Sequence, residues 1–177
     1  MTEPKRITTP LEKTEIELLK AGDEVLISGT IYTARDIAHK RLCESIDKGE
    51  QLPFDLDGAV IFYVGPSPAG EGRAIGSAGP TTSSRMDEFT GKLLERSLAA
   101  TIGKGNRGDE VIAALKKYKA LHFSAVGGAG ALLSKAIKSS EIIAYKELGT
   151  EAVRKLTVEN FPAVVAYDCR GNSVYQN

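Results

Sequence analysis

Apolar positions along this chain recur with two different periods, and the change from one to the other marks out its elements. Glu24-Val-Leu-Ile-Ser-Gly-Thr-Ile-Tyr32 reads as a strand, and Thr33 to Lys48 places Ala34, Ala38, Leu42 and Ile46 on one face of a helix. Thr33 followed by Asp36 gives that helix a start resembling a capping box. Asp57 to Val64 reads as a short apolar strand. The stripe Phe89, Leu93, Leu94 and Leu98 predicts a helix from about Arg85 to Ile102, capped by Ser84 and ended by Gly103. Asp109 to Lys119 predicts a further helix with Val111, Ile112, Leu115 and Tyr118 inward, and Leu121 to Val126 a strand. That strand runs through Gly127-Gly128-Ala129-Gly130 into a small-residue helix ending near Lys138. Glu141 to Lys146 reads as a strand, Thr150 to Leu156 as a short helix, and Pro162 to Asp168 with Asn172 to Tyr175 as a hairpin. The alternation predicts a single α/β domain over residues 21–177, preceded by an arm over residues 1–20 available to pack on a partner.

Composition narrows the function classes. A chain of 177 residues, 42% of them hydrophobic, buries a core without a disulfide or metal staple. Its 23 Lys and Arg residues balance 23 Asp and Glu, which argues against a general nucleic-acid binder. The longest apolar runs, residues 60–64 and 163–167, fall far short of the ~20 residues that span a bilayer, so no membrane segment is expected. The polar start MTEPKRITTPLEKTE lacks the apolar stretch of a secretory signal. Cys43 and Cys169 lie far apart and outside any CxxC or Cys/His pattern, so neither a zinc finger nor a complete iron–sulfur site is expected within this chain. The expected compartment is a reducing cytoplasm.

The 18 glycines cluster in informative places, above all in the Gly- and Pro-rich loop over residues 65–80. Gly103-Lys-Gly105-Asn-Arg-Gly108 fits G-x-G-x-x-G as letters, but it follows a predicted helix where the dinucleotide fingerprint requires a strand. The acidic residue expected about 20 positions on is also missing, since Leu121 to Lys138 contains no Asp or Glu. No P-loop pattern exists. The run Gly127 to Gly130 either presents backbone N–H groups at a helix start or, the commoner case, serves close packing of a strand on a helix.

Two predicted helix starts share an electrostatic oddity. Thr33-Ala-Arg35-Asp36 and Thr81-Thr-Ser-Ser-Arg85 each put an arginine in a first turn, where the helix dipole disfavours a cation by ~0.3–1 kcal/mol. Asp36 and Asp87 offer local compensation. The alternative is a carboxylate or phosphate held by helix N–H groups and a guanidinium fork, and two such places suit a dicarboxylate. Lys104, between glycines, is free to project into a cleft or to serve a helix C-terminus. His39, four residues after Arg35, shares its helix face and either reaches the same pocket or is structural. His122 has no acidic or Cys neighbour and stays unassigned. No Ser/His/Asp order, G-x-S-x-G elbow or carboxylate pair suggests a hydrolase.

At these same residues the chain resembles the β subunit, or C-terminal domain, of the iron–sulfur class I fumarate hydratases, a family that includes L-tartrate dehydratase. The matching stretches are Ile27-Ser-Gly-Thr-Ile-Tyr-Thr-Ala-Arg-Asp-Ile-Ala-His39, Gly65-Pro-Ser-Pro, Gly79-Pro-Thr-Thr-Ser-Ser-Arg-Met-Asp87, Gly103-Lys-Gly105 and Ser124-Ala-Val-Gly-Gly-Ala-Gly130. The resemblance implies a swivelling β/β/α domain docked on a separate α subunit, in an α2β2 hetero-oligomer. That α subunit holds a [4Fe–4S] cluster through its own cysteines, and neither Cys43 nor Cys169 falls in a family ligand motif. The resemblance also implies that Arg35, Arg85 and Lys104 contact substrate carboxylates and that Thr81 is the proton-transferring hydroxyl. The implied reaction is reversible hydration of fumarate to (S)-malate, or the corresponding elimination from tartrate to oxaloacetate. An isolated chain of this kind is expected to be inactive. A stand-alone anion-binding module using the same groups is the non-enzymatic alternative.

Overall fold

Four parallel strands carry the architecture of the computed structural model, which describes residues 3–125 and 130–175. They are β2 (Glu24–Thr33), β3 (Val60–Phe62), β4 (Ala100–Gly103) and β5 (Leu121–Ala125), in register through Thr33, Phe62, Ile102 and Phe123. The fifteen-residue β7 (Val153–Tyr167) returns antiparallel to both β2 and β5, so these five strands close into a ring. β1 (Lys5–Thr8) extends the sheet parallel to β2, and β6 (Ile137–Ala144) runs antiparallel to the first part of β7. The helices are α1 (Lys13–Leu18), α2 (Asp36–Asp47), α3 (Asp87–Glu95), α4 (Asp109–Tyr118) and α5 (Gly130–Ser134). Two 3-10 turns, Ser83–Met86 and Lys146–Glu151, complete the described elements.

The two-residue period of the strands separates two cores. Val60, Phe62, Ala100, Ile102, Leu121 and Phe123 point into the ring, where they meet Ile27, Ile31, Leu156, Phe161 and Val165. The intervening Ile61 and Tyr63, with Ala166 and Tyr167, pack under α2, α3 and α4 through Leu42, Leu93, Leu94 and Leu115. Burial on both faces is why β3 reads as an unbroken apolar run, while β4 and β5 alternate because Thr101 and His122 take their helix-facing positions. Each fully buried leucine contributes about 1.5–3 kcal/mol relative to exposure. Thr101 and His122 occupy helix-facing positions in this alternation and are fully buried despite their polarity.

Several sequence expectations shift. The helix expected from Thr33 begins at Asp36, with Arg35 at its N-cap. Thr33 instead bridges strands: its hydroxyl accepts from Arg154 N at 3.0 Å and donates to the Ala152 carbonyl at 3.3 Å. The helix expected over residues 85–102 stops at Glu95, because Ser97 turns the backbone left-handed (φ 72°) and residues 100–103 become β4. The small-residue helix ends at Ser134, and the following strand starts at Ile137. The short helix expected at 150–156 gives way to a 3-10 turn and then β7, which passes through Pro162 unbroken; the expected hairpin reduces to one bridge between Tyr167 and Ser173. The segment set apart as an arm builds β1 and α1, and its Ile7, Leu11, Ile16 and Leu19 are buried in the ring core of this same chain. Among the described residues, no helix is long and apolar enough to cross a membrane.

Candidate functional site

Ligands of parallel sheets bind outside the carboxyl ends of the strands, and the singled-out residues gather there. Arg35 follows β2, Gly65 follows β3, and Lys104 follows β4. Between the last two lies an inserted strip. Thr81 N donates to the Tyr63 carbonyl at 2.7 Å, Ser83 N donates to the Lys104 carbonyl at 2.8 Å, and Lys104 N donates back to the Thr81 carbonyl at 3.2 Å. Thr82 and Lys104 thereby form a parallel bridge. Thr81 is half-buried and Lys104 exposed. Gly103 is required beneath the strip, since a Cβ there would lie 2.2 Å from Ser83 Oγ and 2.8 Å from the Tyr63 ring.

Arg85 continues this strip in the 3-10 turn Ser83–Met86, and Arg35 comes from the opposite side. Asp36 stands between them. Arg85 grips it with both arms of its fork, Nε at 3.2 Å and Nη2 at 2.6 Å, while Arg35 Nε lies 3.9 Å away. The Arg35 Nε is buried and makes no hydrogen bond. Its guanidinium lies over Gly65, where a Cβ would meet Nη1 at 2.5 Å and Cδ at 2.9 Å. Arg35, Arg85 and Lys104 set against Asp36 leave two formal positive charges, with Arg85 and Lys104 exposed and Arg35 half-buried. The structure thus joins Arg35 to Arg85 through Asp36, and Thr81 to Lys104 through backbone pairing. Neither arginine sits in the first turn of an α-helix as expected: one is an N-cap and the other precedes α3.

His39 lies beneath this cluster. Its Nδ1 is 2.7 Å from the Arg35 carbonyl, and because a carbonyl only accepts, Nδ1 carries the hydrogen. Burial pushes its pKa down to about 4, so the ring is neutral near pH 7. Its Nε2 is buried without a partner, and the ring meets Tyr63 edge-on at 5.3 Å. His39 therefore fixes the backbone of Arg35 and stays out of the open edge.

A buried polar network that sequence reasoning passed over runs under the strip. Arg107, with a fully buried side chain, donates through Nε to Asp87 at 2.8 Å and through Nη2 to Thr90 Oγ1 at 2.6 Å. Its Nη1 reaches Tyr63 Oη at 3.1 Å, Thr101 Oγ1 at 3.2 Å and His122 Nδ1 at 3.3 Å. His122 touches Thr101 Oγ1 through Nδ1 at 2.7 Å and Ser83 Oγ through Nε2 at 3.0 Å. Burial, reinforced by the Arg107 charge, holds the His122 pKa well below the ordinary histidine value. Asp87, offered in sequence as a partner for Arg85, is thus committed to Arg107. The available signal was polar Thr101 and His122 interrupting apolar strands, with one arginine inside the Gly103–Gly108 turn.

That turn follows strand β4 and leads into α4, contrary to the expectation of a preceding helix. The other argument against a dinucleotide stands, since Leu121 to Lys138 contains no Asp or Glu. Gly108 N donates to Asp87 Oδ2 at 2.7 Å, so this chain's own carboxylate takes the place of a phosphate at the α4 N-terminus. Most of the Gly127–Gly130 run lies outside the described residues. Cys43 and Cys169 are buried, unpaired and in different parts of the fold, and no group of three His, Cys, Asp or Glu among the described residues is placed to hold a metal ion.

The carboxyl ends of parallel strands thus carry two arginines beside Asp36 and, on the neighbouring strip, Thr81 and Lys104, in an α/β domain. The chain belongs to the Fumarase C-terminus family, whose pattern matches residues 3–177. It is 40% identical to fumarate hydratase 2 of Leishmania major, over 94% of this chain and 30% of that protein. It is 42% identical to the aerobic class I fumarate hydratase of Escherichia coli K12, over 85% of this chain and 28% of that protein. A Methanocaldococcus jannaschii protein named for subunit beta of L(+)-tartrate dehydratase is 38% identical, over 94% of this chain and 88% of its own length. The chain thus spans less than a third of these fumarate hydratases and nearly all of the tartrate dehydratase relative.

Proposed function

We propose that this chain is the dicarboxylate-holding β subunit of a two-part cytoplasmic hydro-lyase, a swivelling β/β/α domain that hydrates fumarate to (S)-malate together with an iron–sulfur α subunit. The observation that carries this reading is the pairing of Arg35 and Arg85 across Asp36 beside the strip bearing Thr81 and Lys104, with two net positive charges for a dianion. The donor set of this chain does not fit a cluster, since its cysteines are buried apart, so in this reading the [4Fe–4S] group would be held by the partner.

In this reading Arg35, Arg85 and Lys104 bind the two substrate carboxylates and orient the carbon that exchanges a proton. Taking that proton from malate builds negative charge next to a carboxylate, and fixed cations stabilise it best where they need no reorganisation. The backbone pairing of the strip and the Gly65 cradle supply that rigidity. Thr81 moves the proton. An aliphatic hydroxyl is a poor base near pH 7, and the neighbouring cations lower the cost of its ionised form.

A second reading, elimination of water from tartrate to oxaloacetate, is favoured by the relative that this chain covers almost end to end as a separate subunit. Anaerobic assay of the chain assembled with an iron–sulfur subunit, on malate and tartrate side by side, separates the two. Thr81→Ala and Arg85→Ala are each expected to abolish turnover of the assembled pair while the chain stays folded. Near-wild-type turnover in either variant removes that residue from the mechanism. Tight fumarate binding by the isolated chain, with no gain from any partner, supports a binding module instead.

A further inference from the structure

We propose that His122 is a positioning residue of this site: acting through Ser83, it fixes the strip that carries the Thr81 hydroxyl and Lys104. The proposal rests on the reading of Thr81 and Lys104 as substrate-facing groups.

Arg107 only donates hydrogen bonds, so its Nη1, 3.3 Å from His122 Nδ1, requires a lone pair on that nitrogen. Thr101 Oγ1, at 2.7 Å, is the nearer donor to that lone pair, and the two hydrogens of Arg107 Nη1 are shared among Tyr63, Thr101 and His122. A neutral ring has one hydrogen left, and it sits on Nε2, pointing at Ser83 Oγ 3.0 Å away. The tautomer is therefore set by Arg107, which is itself set by Asp87, Tyr63 and Thr90.

Ser83 passes this constraint upward. Its side chain is fully buried, and its Oγ rests where any side chain at Gly103 would be. Its backbone N–H holds the Lys104 carbonyl, and the Lys104 N–H holds the Thr81 carbonyl, so Ser83, Lys104 and Thr81 move as one body. His122 is fully buried and does not touch the open edge, so it takes no part in proton transfer to substrate. Its contribution is placement, and a misplacement near 1 Å costs about a hundredfold in rate where reacting atoms must be aligned.

The test uses three variants in the chain assembled with its iron–sulfur subunit, with fumarate as substrate. His122→Leu removes the donor to Ser83, Ser83→Ala removes the acceptor, and His122→Gln returns an N–H at the Nε2 position. His122→Leu and Ser83→Ala are expected to lower kcat by about tenfold or more with KM changed by less than about threefold. His122→Gln is expected to restore most of kcat, and the pH profile of the residual activity is expected to keep its shape in all three. A second readout needs no partner: the methyl NMR signal of Thr81 in the isolated chain shifts and broadens in His122→Leu and returns in His122→Gln. Wild-type kcat in Ser83→Ala, or an undisturbed Thr81 signal in a folded His122→Leu, overturns the proposal. Loss of one limb of the pH profile in the His122 variants also overturns it, because that makes the ring a proton carrier. If His122→Leu does not fold, Ser83→Ala and His122→Gln carry the test alone. Thr81→Ala in the same assembly keeps the two readings apart: activity there defeats the proposed function, whereas an inactive Thr81→Ala beside a fully active Ser83→Ala defeats only the positioning role.

Discussion

Replacing Asp87 with asparagine tests how much the domain depends on the charge pair beneath its site. The Arg107 side chain is 0% exposed and its Asp87 partner 12%, with Nε to Oδ1 at 2.8 Å. Every other group on the guanidinium is neutral: Tyr63, Thr90, Thr101 and His122. Removing one member of a buried pair costs about 3–5 kcal/mol, because the remaining charge stays desolvated and uncompensated. Asparagine keeps one carbonyl oxygen, for either Arg107 or Gly108 N but not both, so the lower end, about 3 kcal/mol, is expected. For a chain of this size that corresponds to a fall in Tm of roughly 6–12 °C. Urea unfolding followed by far-UV circular dichroism measures it, and the loss should be nearly independent of salt because the pair is screened from water. The double variant Asp87→Leu with Arg107→Met removes both charges and is expected to be more stable than Asp87→Asn, since apolar residues replace buried pairs at little cost. A loss below about 0.5 kcal/mol in Asp87→Asn, within the range of ordinary surface substitutions, refutes the reasoning.

Two further outcomes follow from the same geometry. Gly65→Ala puts a methyl group 2.5 Å from Arg35 Nη1 and displaces the guanidinium, so KM for the dicarboxylate in the assembled enzyme should rise by about tenfold, the order expected of one lost charge-assisted hydrogen bond, with the fold intact; an unchanged KM removes Arg35 from the binding set. His39 titrates near 6.5 when unfolded and at about 4 when folded, so its neutral form is favoured by folding; the associated stability is complete above pH 6.5 and is lost as pH falls through 4. The expected loss is roughly 3 kcal/mol at 1.36 kcal/mol per decade, and His39→Gln should flatten that part of the stability profile; a wild-type profile level between pH 7 and 4 contradicts it.

The parts of this fold that could be read in advance are those where one period holds without competition. Strand β2, helix α2, helix α4 and strand β5 have clean alternation or a clean helical stripe, and their observed bounds differ from expectation by at most a few residues. β4 was hidden because Leu98-Ala-Ala-Thr-Ile102 continues the stripe of α3 as well as it alternates, and the break is a serine in a left-handed conformation where a glycine would have shown it. β7 was hidden because Pro162 looks like a terminus, and the pairing that absorbs it, with Leu26, lies 136 positions away. At the candidate site, Arg35, Arg85, Thr81 and Lys104 stand out in the sequence because each sits in a contiguous motif. Arg107 and His122 do not, since their partners come from α3, the end of β3 at Tyr63, β4 and the inserted strip, and only folding brings those segments to one point.

Closure of the sheet by β7 has a consequence for the chain as it leaves the ribosome. Until residues 153–167 emerge, β2 and β5 each keep a bare row of amide and carbonyl groups, which is the kind of template that recruits strands from other molecules. The seam that removes both edges joins Glu24 to Val164, 140 positions apart, and contacts so distant in sequence form slowly. The nascent domain therefore passes its most aggregation-exposed interval with the four parallel strands of the ring made and its closing strand, β7, not yet translated.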